Sequence, residues 1–309
     1  MTTTRQLHRA LTVGSQSSGL QSSSVLGFYC NLMKAHPSGF CNKCDDAAQF
    51  GLIQALLSNL DNVTIFVTGT YDGSDIRRLT QQRWYVAQRA RIYGWEIQRE
   101  VYDHAVSQLK GHREVQLIHG GVSDKAGRMG LAGTWETAHL REDVNATSSI
   151  DVVRWADFVA SRGIASVDYA LIDTEGNDPR VLRGMDLASR RFPLIQYEIG
   201  PQWVSSPSGG TPSLAAAASQ VEIAEWLTDL GYELFIMGRR QVDRRNRSTS
   251  APILLPVTPA SFRDSWCKFT RWHMLRNNSM QGNVLAAHGE HLRLHAWLAQ
   301  RVQEMVAAL

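Results

Sequence analysis

Val167-Asp168-Tyr169-Ala170-Leu171-Ile172-Asp173 runs directly into Thr174-Glu175-Gly176-Asn177-Asp178-Pro179-Arg180-Val181-Leu182-Arg183-Gly184. Ala170–Ile172 is apolar without alternation, the pattern of a central parallel strand covered on both faces. Asp178 ahead of Pro179 reads as a helix start, with an N-cap acceptor and a proline in the first turn. Strand, acidic turn and helix in succession predict one βα unit of an open α/β sheet. Asp173 and Glu175 then sit just outside the carboxyl end of a central strand, where such sheets bind ligands. Capping accounts for Asp178. It does not account for Asp173 and Glu175, and two acids placed there ask for a chemical reason.

The same alternation extends in both directions. Strands are predicted at Val63–Thr68, Ile92–Glu96, Val115–His119, Val167–Asp173, Leu194–Glu198, Glu233–Met237 and Ile253–Val257. Helices are predicted at Asp45–Leu60, Asp75–Ala90, Glu100–Leu109, Ile150–Ser161, Pro179–Leu187 and Ala215–Leu230, with a last one over Leu285–Ala308. Alternating strands and helices give a mostly parallel sheet with right-handed crossovers. The last two strands are joined by a polar, Arg-rich connection instead of a helix, so they are expected to pair as an antiparallel edge. The expected organisation is an N-terminal extension over 1–44 and a single domain over 45–309.

Composition bounds the class. The chain has 309 residues, 43% hydrophobic and 20% charged, which is ordinary for a globular protein and too apolar for wholesale disorder. No apolar run reaches the roughly 18 residues that cross a bilayer. The net charge of +3 supplies no concentrated basic face, so neither a membrane nor a nucleic acid is the expected partner. Four cysteines do not make a disulfide scaffold, and a reducing, cytoplasmic compartment is the default. Residues 1–44 hold no Asp or Glu and are rich in Ser and Thr. An organelle transit peptide shares that composition, although a disordered or loosely packed tail is the favoured reading.

The first strand ends in Val67-Thr68-Gly69-Thr70-Tyr71-Asp72-Gly73-Ser74 and a helix follows at once. A glycine loop there lets backbone approach a ligand that a Cβ would exclude. Its G-x-x-x-G spacing is neither the dinucleotide G-x-G-x-x-G nor a P-loop. The second strand ends in Glu96, where doubly wound folds place a carboxylate that accepts hydrogen bonds from ribose hydroxyls. Together the loop and the acid point to a nucleoside ligand. The third strand leads into Gly120-Gly121-Val122-Ser123-Asp124-Lys125-Ala126-Gly127, and Ser123 is a candidate to reach the base. Glu198 adds a third acid at the tip of the fifth strand.

Asp173-x-Glu175-Gly176-x-Asp178-x-x-Val181-Leu182-x-Gly184, followed by Pro193-Leu194-Ile195 and Glu198, resembles the signature of the FkbM family of S-adenosylmethionine-dependent methyltransferases. The glycine loop, Glu96-Ile97-Gln98-Arg99-Glu100, Val122–Gly127 and Gly282-Asn283-Val284-Leu285-Ala286 are similar to other family segments. The resemblance implies a Rossmann-like class I methyltransferase fold with seven strands, the seventh antiparallel. It implies S-adenosyl-L-methionine as cofactor, held by Gly69, Thr70, Asp72, Gly73, Glu96 and Ser123. Asp173 and Glu175 would face the transfer site as catalytic residues. Family members typically methylate hydroxyl oxygens of natural products or sugars, so a small-molecule or carbohydrate acceptor is implied. Two positions depart from the pattern. Val67 stands where the family usually has an acid, with Asp72 the nearest acid to compensate, and Tyr71 stands where it usually has Asn.

Other features compete with that reading. His104, His119 and His139 are rival bases for a hydroxyl proton. Cys30, His36, Cys41 and Cys44 have spacing that could close a tetrahedral zinc site, although isolated thiols are commoner and no metal ligands are assigned. Arg239, Arg240, Arg244, Arg245 and Arg247, with Arg263, Trp266, Lys268, Phe269, Arg271 and Trp272, mix charge and aromatic faces as an RNA methyltransferase would. A non-catalytic cofactor-binding scaffold is the remaining alternative, favoured by Val67 and opposed by three well-placed acids.

Overall fold

The computed structural model describes residues 53, 57, 60, 62–81, 90–135, 138–142, 148–199, 214–241, 250–259 and 282–289. The elements that build the main sheet are β1 (Thr64–Thr68), β2 (Arg91–Glu96), β3 (Val115–His119), β8 (Tyr169–Ile172), β9 (Leu194–Ile199), β10 (Tyr232–Gln241), β11 (Ser250–Val257) and β12 (Gly282–His288). A smaller sheet holds β4 (Gly121–Ser123), β5 (Gly127–Ala132), β6 (His139–Arg141) and β7 (Ser149–Arg154). Helices are α1 (Ser74–Thr80), α2 (Arg99–Gln108), α3 (Trp155–Ser161), α4 (Asp178–Gly184) and α5 (Leu214–Asp229).

The main sheet runs in the order β11-β10-β12-β9-β8-β1-β2-β3. Strands β3, β2, β1, β8 and β9 are parallel, whereas β12 is antiparallel to both β9 and β10. Every residue of β1, β8 and β9 is buried, as their unalternating sequences require of strands covered on two faces. Alternate β1 residues feed two cores. Phe66 joins Trp95, Trp155, Phe158 and Leu182 on one face, while Ile65 and Val67 join Ile76, Leu79, Leu171 and Leu285 on the other. The Phe66 ring lies 5.3 Å from that of Trp95 and 5.0 Å from that of Trp155, both edge to face, a favoured arrangement for aromatic rings.

The chain leaves β1 towards β2 and β3 on one side and returns through β8 on the other. This reversal leaves a crevice outside the carboxyl ends of β1 and β8. All the sequence-predicted acids lie at that end of the sheet.

Three sequence expectations are corrected. Gly282–His288 was assigned partly to a helix beginning at Leu285 and is instead β12, inserted between β9 and β10 as the sheet's antiparallel interior strand. The predicted hairpin of β10 and β11 forms, but as an addition at the edge, which raises the strand count of this sheet to eight. Ile150–Ser161 was expected to be one helix. Its first residues form β7, with Ile150 and Val152 buried and Asp151 exposed, and the helix starts at Trp155. The four-stranded sheet between β3 and α3 was not foreseen.

Among the described residues no helix is long and apolar enough to cross a membrane. Of the helix predicted over Asp45–Leu60, only Ile53, Leu57 and Leu60 are described; Ile53 and Leu57 are helical and fully buried. The 1–44 extension, the Cys30–Cys44 quartet, the arginines at 244–247, the basic-aromatic segment 263–272 and the chain beyond 289 lie outside the described residues.

Candidate functional site

One wall of the crevice is made by backbone. After Thr68 the chain turns at Gly69 with φ +83, and a Cβ built there would lie 1.7 Å from the Asp173 carbonyl oxygen. Any other residue would force the β1 and β8 exits apart. The loop then folds onto β2, with the N–H groups of Gly69 and Thr70 both donating to the Trp95 carbonyl at 3.0 Å. Tyr71 N–H donates to Glu96 Oε2 at 2.9 Å, and Gln98 N–H donates to Glu96 Oε1 at 2.8 Å. Glu96 is only 5% exposed. Burial pushes its pKa up, and the backbone donors of Gln98, Tyr71 and Ile97 pull it back down.

The opposite wall is made by side chains. Asp173, at the end of β8, donates its N–H to the Thr68 carbonyl at 2.9 Å. Asp173, Glu175 and Glu198 each bring a carboxylate oxygen into a group whose members all lie within 4.8 Å of one another. Asn283 of β12 pairs in register with Glu198. Three carboxylates this close suit hydrogen-bond donors or a cation held between them.

Asp178 supports this wall and is not the predicted cap. The N-cap is Asn177, without a side-chain capping bond. The Asp178 carboxylate instead accepts from Thr174 N–H at 3.1 Å, from the Thr174 hydroxyl at 2.5 Å and from Glu198 N–H at 3.1 Å. It ties the acidic turn to the neighbouring strand. Burial raises its pKa to about 7, the Asp173 charge adds to the shift, and the three hydrogen bonds oppose it.

The two walls enclose a cavity of about 340 Å³, bordered by Gly69, Thr70, Glu96, Asp173, Glu175 and Glu198 among others. The predicted acids and the front of the glycine loop therefore converge on one space. Three other predicted binding residues do not line it. Asp72 turns back to accept from Ser74 N–H at 2.9 Å. Gly73 faces α2, where a side chain would meet Ala105 and Leu109. Ser123 is fully buried, donates to Asp124 Oδ1 at 3.1 Å, and lies against α4, where a Cβ on Gly184 would come within 2.2 Å of its carbonyl oxygen. Asp72 and Ser123 are thus held by hydrogen bonds within the protein, and Gly73 by packing. Val67 is fully buried in the sheet's second core, so neither it nor Asp72 brings an acid to the cavity.

None of the rival histidines lines the cavity either. His119 is held below its usual pKa by burial and by the Arg99 charge, and its ring packs on Tyr102. Sequence reasoning missed Arg78, Trp135, Ala138, Leu140 and Asn177, all of which border the cavity. Asn283 also borders it, although only its segment had been singled out. Arg78 is the one cation among the described lining residues, beside Asp75, Glu96 and the acid cluster.

The residues present fit an adenosyl ligand. Gly69, whose missing side chain lets the β1 exit pack against the Asp173 backbone, borders the cavity. Thr68 and Thr70 border the cavity, and their buried hydroxyls have no hydrogen-bond partner among the described residues. Orphaned buried hydroxyls cost roughly 1–3 kcal/mol each, a cost that a polar ligand atom reaching them relieves. Glu96 presents an oriented carboxylate of the kind that takes ribose hydroxyls.

The family model described as the methyltransferase FkbM domain matches residues 69–234, just over half of the chain. No curated protein matches. Among solved structures, a putative O-methyltransferase from Klebsiella pneumoniae is 13% identical, with 85% of this chain and 89% of that one covered at a TM-score of 0.41. The precorrin-6y C5,15-methyltransferase of Geobacter metallireducens is 10% identical, covering 80% and 91%, at 0.40. Fibrillarin of Aeropyrum pernix, solved with natively bound S-adenosyl-L-methionine, is 16% identical, covering 67% and 74%, at 0.35.

Proposed function

The chain belongs to the FkbM methyltransferase family, and on that premise we propose that it transfers a methyl group from S-adenosyl-L-methionine to a hydroxyl oxygen of a small molecule or sugar. When bound, the cofactor supplies an electrophilic methyl group on a sulfonium. The chain's own residues have three tasks. Gly69, Thr70 and Glu96 hold the adenosine end, with Glu96 accepting from ribose hydroxyls while Tyr71 and Gln98 fix its orientation. The acid wall receives the acceptor. An alcohol must lose its proton as the new bond forms, which calls for a base within hydrogen-bond reach of about 2.6–3.2 Å. Asp173 or Glu175 accepts that proton, and the other orients the acceptor.

Alignment is the third task. A displacement at carbon gains most of its rate from holding donor and acceptor in line and excluding water. The rigid β1 and β8 exits, locked together at Gly69 and Asp173, provide that fixed geometry. The observation that carries the reading is the convergence of Asp173, Glu175 and Glu198 within 4.8 Å of one another in the same cavity as Glu96. An acidic pocket favours neutral, polyhydroxylated or cationic acceptors over anionic ones.

The test is methyl transfer from methyl-labelled cofactor to a panel of sugars and hydroxylated natural products. Label is expected in an ether that resists mild base. Label only in esters, amines or nucleic acid would refute O-methylation of a small-molecule or sugar hydroxyl while leaving the methyltransferase assignment in place.

A further inference from the structure

Trp135 is the most exposed large hydrophobic residue among those described, at 63%, and it borders the cavity. Two costs attend that position. An indole facing water forgoes burial, and the residue sits at φ +54, a left-handed conformation that bulky side chains rarely adopt. The fold nonetheless fixes it. Trp135 N–H donates to Gln98 Oε1 at 2.7 Å, and Gln98 Nε2 donates to the Trp135 carbonyl at 2.8 Å. Both polar ends of the Gln98 amide are thus spent on the Trp135 backbone. Gln98 in turn gives its own N–H to Glu96, so a continuous chain of hydrogen bonds runs from the ribose-binding acid to the tryptophan.

We propose that Trp135, carried by the loop between β5 and β6, is the aromatic platform on which the adenine of the cofactor stacks, with Gln98 as the positioning residue that sets its distance from Glu96. The proposal rests on the adenosyl reading of the cavity. It follows from three placements: an exposed flat ring at the cavity edge, its tether to the residue two beyond Glu96, and a base that must lie within one nucleoside's length of the ribose. A purine face is a good partner for an indole, and the small accessory sheet thereby gains a role in binding. The alternative is that the Gln98 bonds merely staple the loop, with the ring incidental.

The hydrogen bonds use the Trp135 backbone, so the two roles separate by substitution. Binding of S-adenosylhomocysteine is measured by calorimetry on the full chain, alongside thermal unfolding. Trp135→Ala is expected to weaken binding about tenfold or more, the usual cost of losing a base-stacking aromatic, and Trp135→Phe to recover most of it. Trp135→Gly is expected to raise the melting temperature relative to Trp135→Ala by relieving the positive φ, yet to bind as weakly as Trp135→Ala. Gln98→Met, which keeps the ring and loses the staple, is expected to weaken binding less than Trp135→Ala. Unchanged affinity in Trp135→Ala, with tight binding by the wild type, overturns the proposal and leaves the adenosyl reading intact. Absence of binding by the wild type overturns both.

Discussion

The two walls of the cavity are built on opposite principles. On the β1–β2 side the protein offers mainly backbone, and its strand-tip carboxylate, Glu96, is already steadied by Tyr71 and Gln98 N–H groups. On the β8–β9 side it offers side chains, with three carboxylates crowded together and a fourth, Asp178, buried behind them with its pKa raised to about 7. A satisfied acid suits binding, because its orientation is fixed before the ligand arrives. In the proposed function the crowded acids handle the acceptor's proton, and the steadied acid holds the cofactor.

The largest effects are expected where this contrast is erased on the acidic side. Asp173→Asn and Glu175→Gln should each leave S-adenosylhomocysteine binding within a few-fold of wild type. One of them should cut methyl transfer by about 10²–10⁴-fold, the range for loss of a positioned general base. Full turnover in both would remove the proton-accepting role from this wall. Gly69→Ala should be next, since its Cβ collides with the Asp173 carbonyl. A loss of about 3 kcal/mol in denaturant unfolding is expected from strain and overpacking, together with weaker ligand binding.

Asp178 sharpens the contrast through pH. Its folded pKa of about 7 lies above the ordinary aspartate value of about 3.9, so the folded state holds a proton that the unfolded chain releases between those values. Stability from this group is therefore fully present below pH 4 and is lost as pH rises towards 7. Melting temperatures of wild type and Asp178→Asn should diverge across that window, the wild type falling more steeply with rising pH. Parallel curves would contradict the buried, proton-holding role.

The smallest effects are expected at residues that the family resemblance pointed to and the structure places elsewhere. Asp72→Ala should lose the bond to Ser74 N–H, and Ser123→Ala a buried bond to Asp124, each worth about 1 kcal/mol of stability. Neither should change affinity for S-adenosylhomocysteine more than two-fold. A large affinity loss in Ser123→Ala would mean that Ser123 itself reaches the ligand.

The contrast between regions also explains what the sequence made legible. The strands β1, β8 and β9 could be read because buried parallel strands are short apolar runs bounded by polar turns, β2 and β3 followed from their place in the strand–helix alternation, and the acids at the strand tips followed from strand position alone. Gly282–His288 could not be read in the same way. Val284-Leu285-Ala286-Ala287 is an apolar run compatible with a strand or a buried helix, and its place between β9 and β10 is set by partners distant in sequence. Ile150-Asp151-Val152-Val153-Arg154 runs without a break into Trp155, so helical spacing masked a two-residue alternation that burial makes plain. Trp135 carried no signal, because a single aromatic in a loop has no period. Its significance arises only from the reciprocal bonds to Gln98, 37 positions away.

The most direct measurement is a calorimetric titration of the wild-type chain and of Glu96→Ala with S-adenosylhomocysteine. One site per chain is expected, weakened at least about tenfold in the variant by loss of charge-assisted hydrogen bonds. Equal affinities in the two proteins, or no binding by the wild type, would contradict an adenosyl group seated between Gly69 and Glu96.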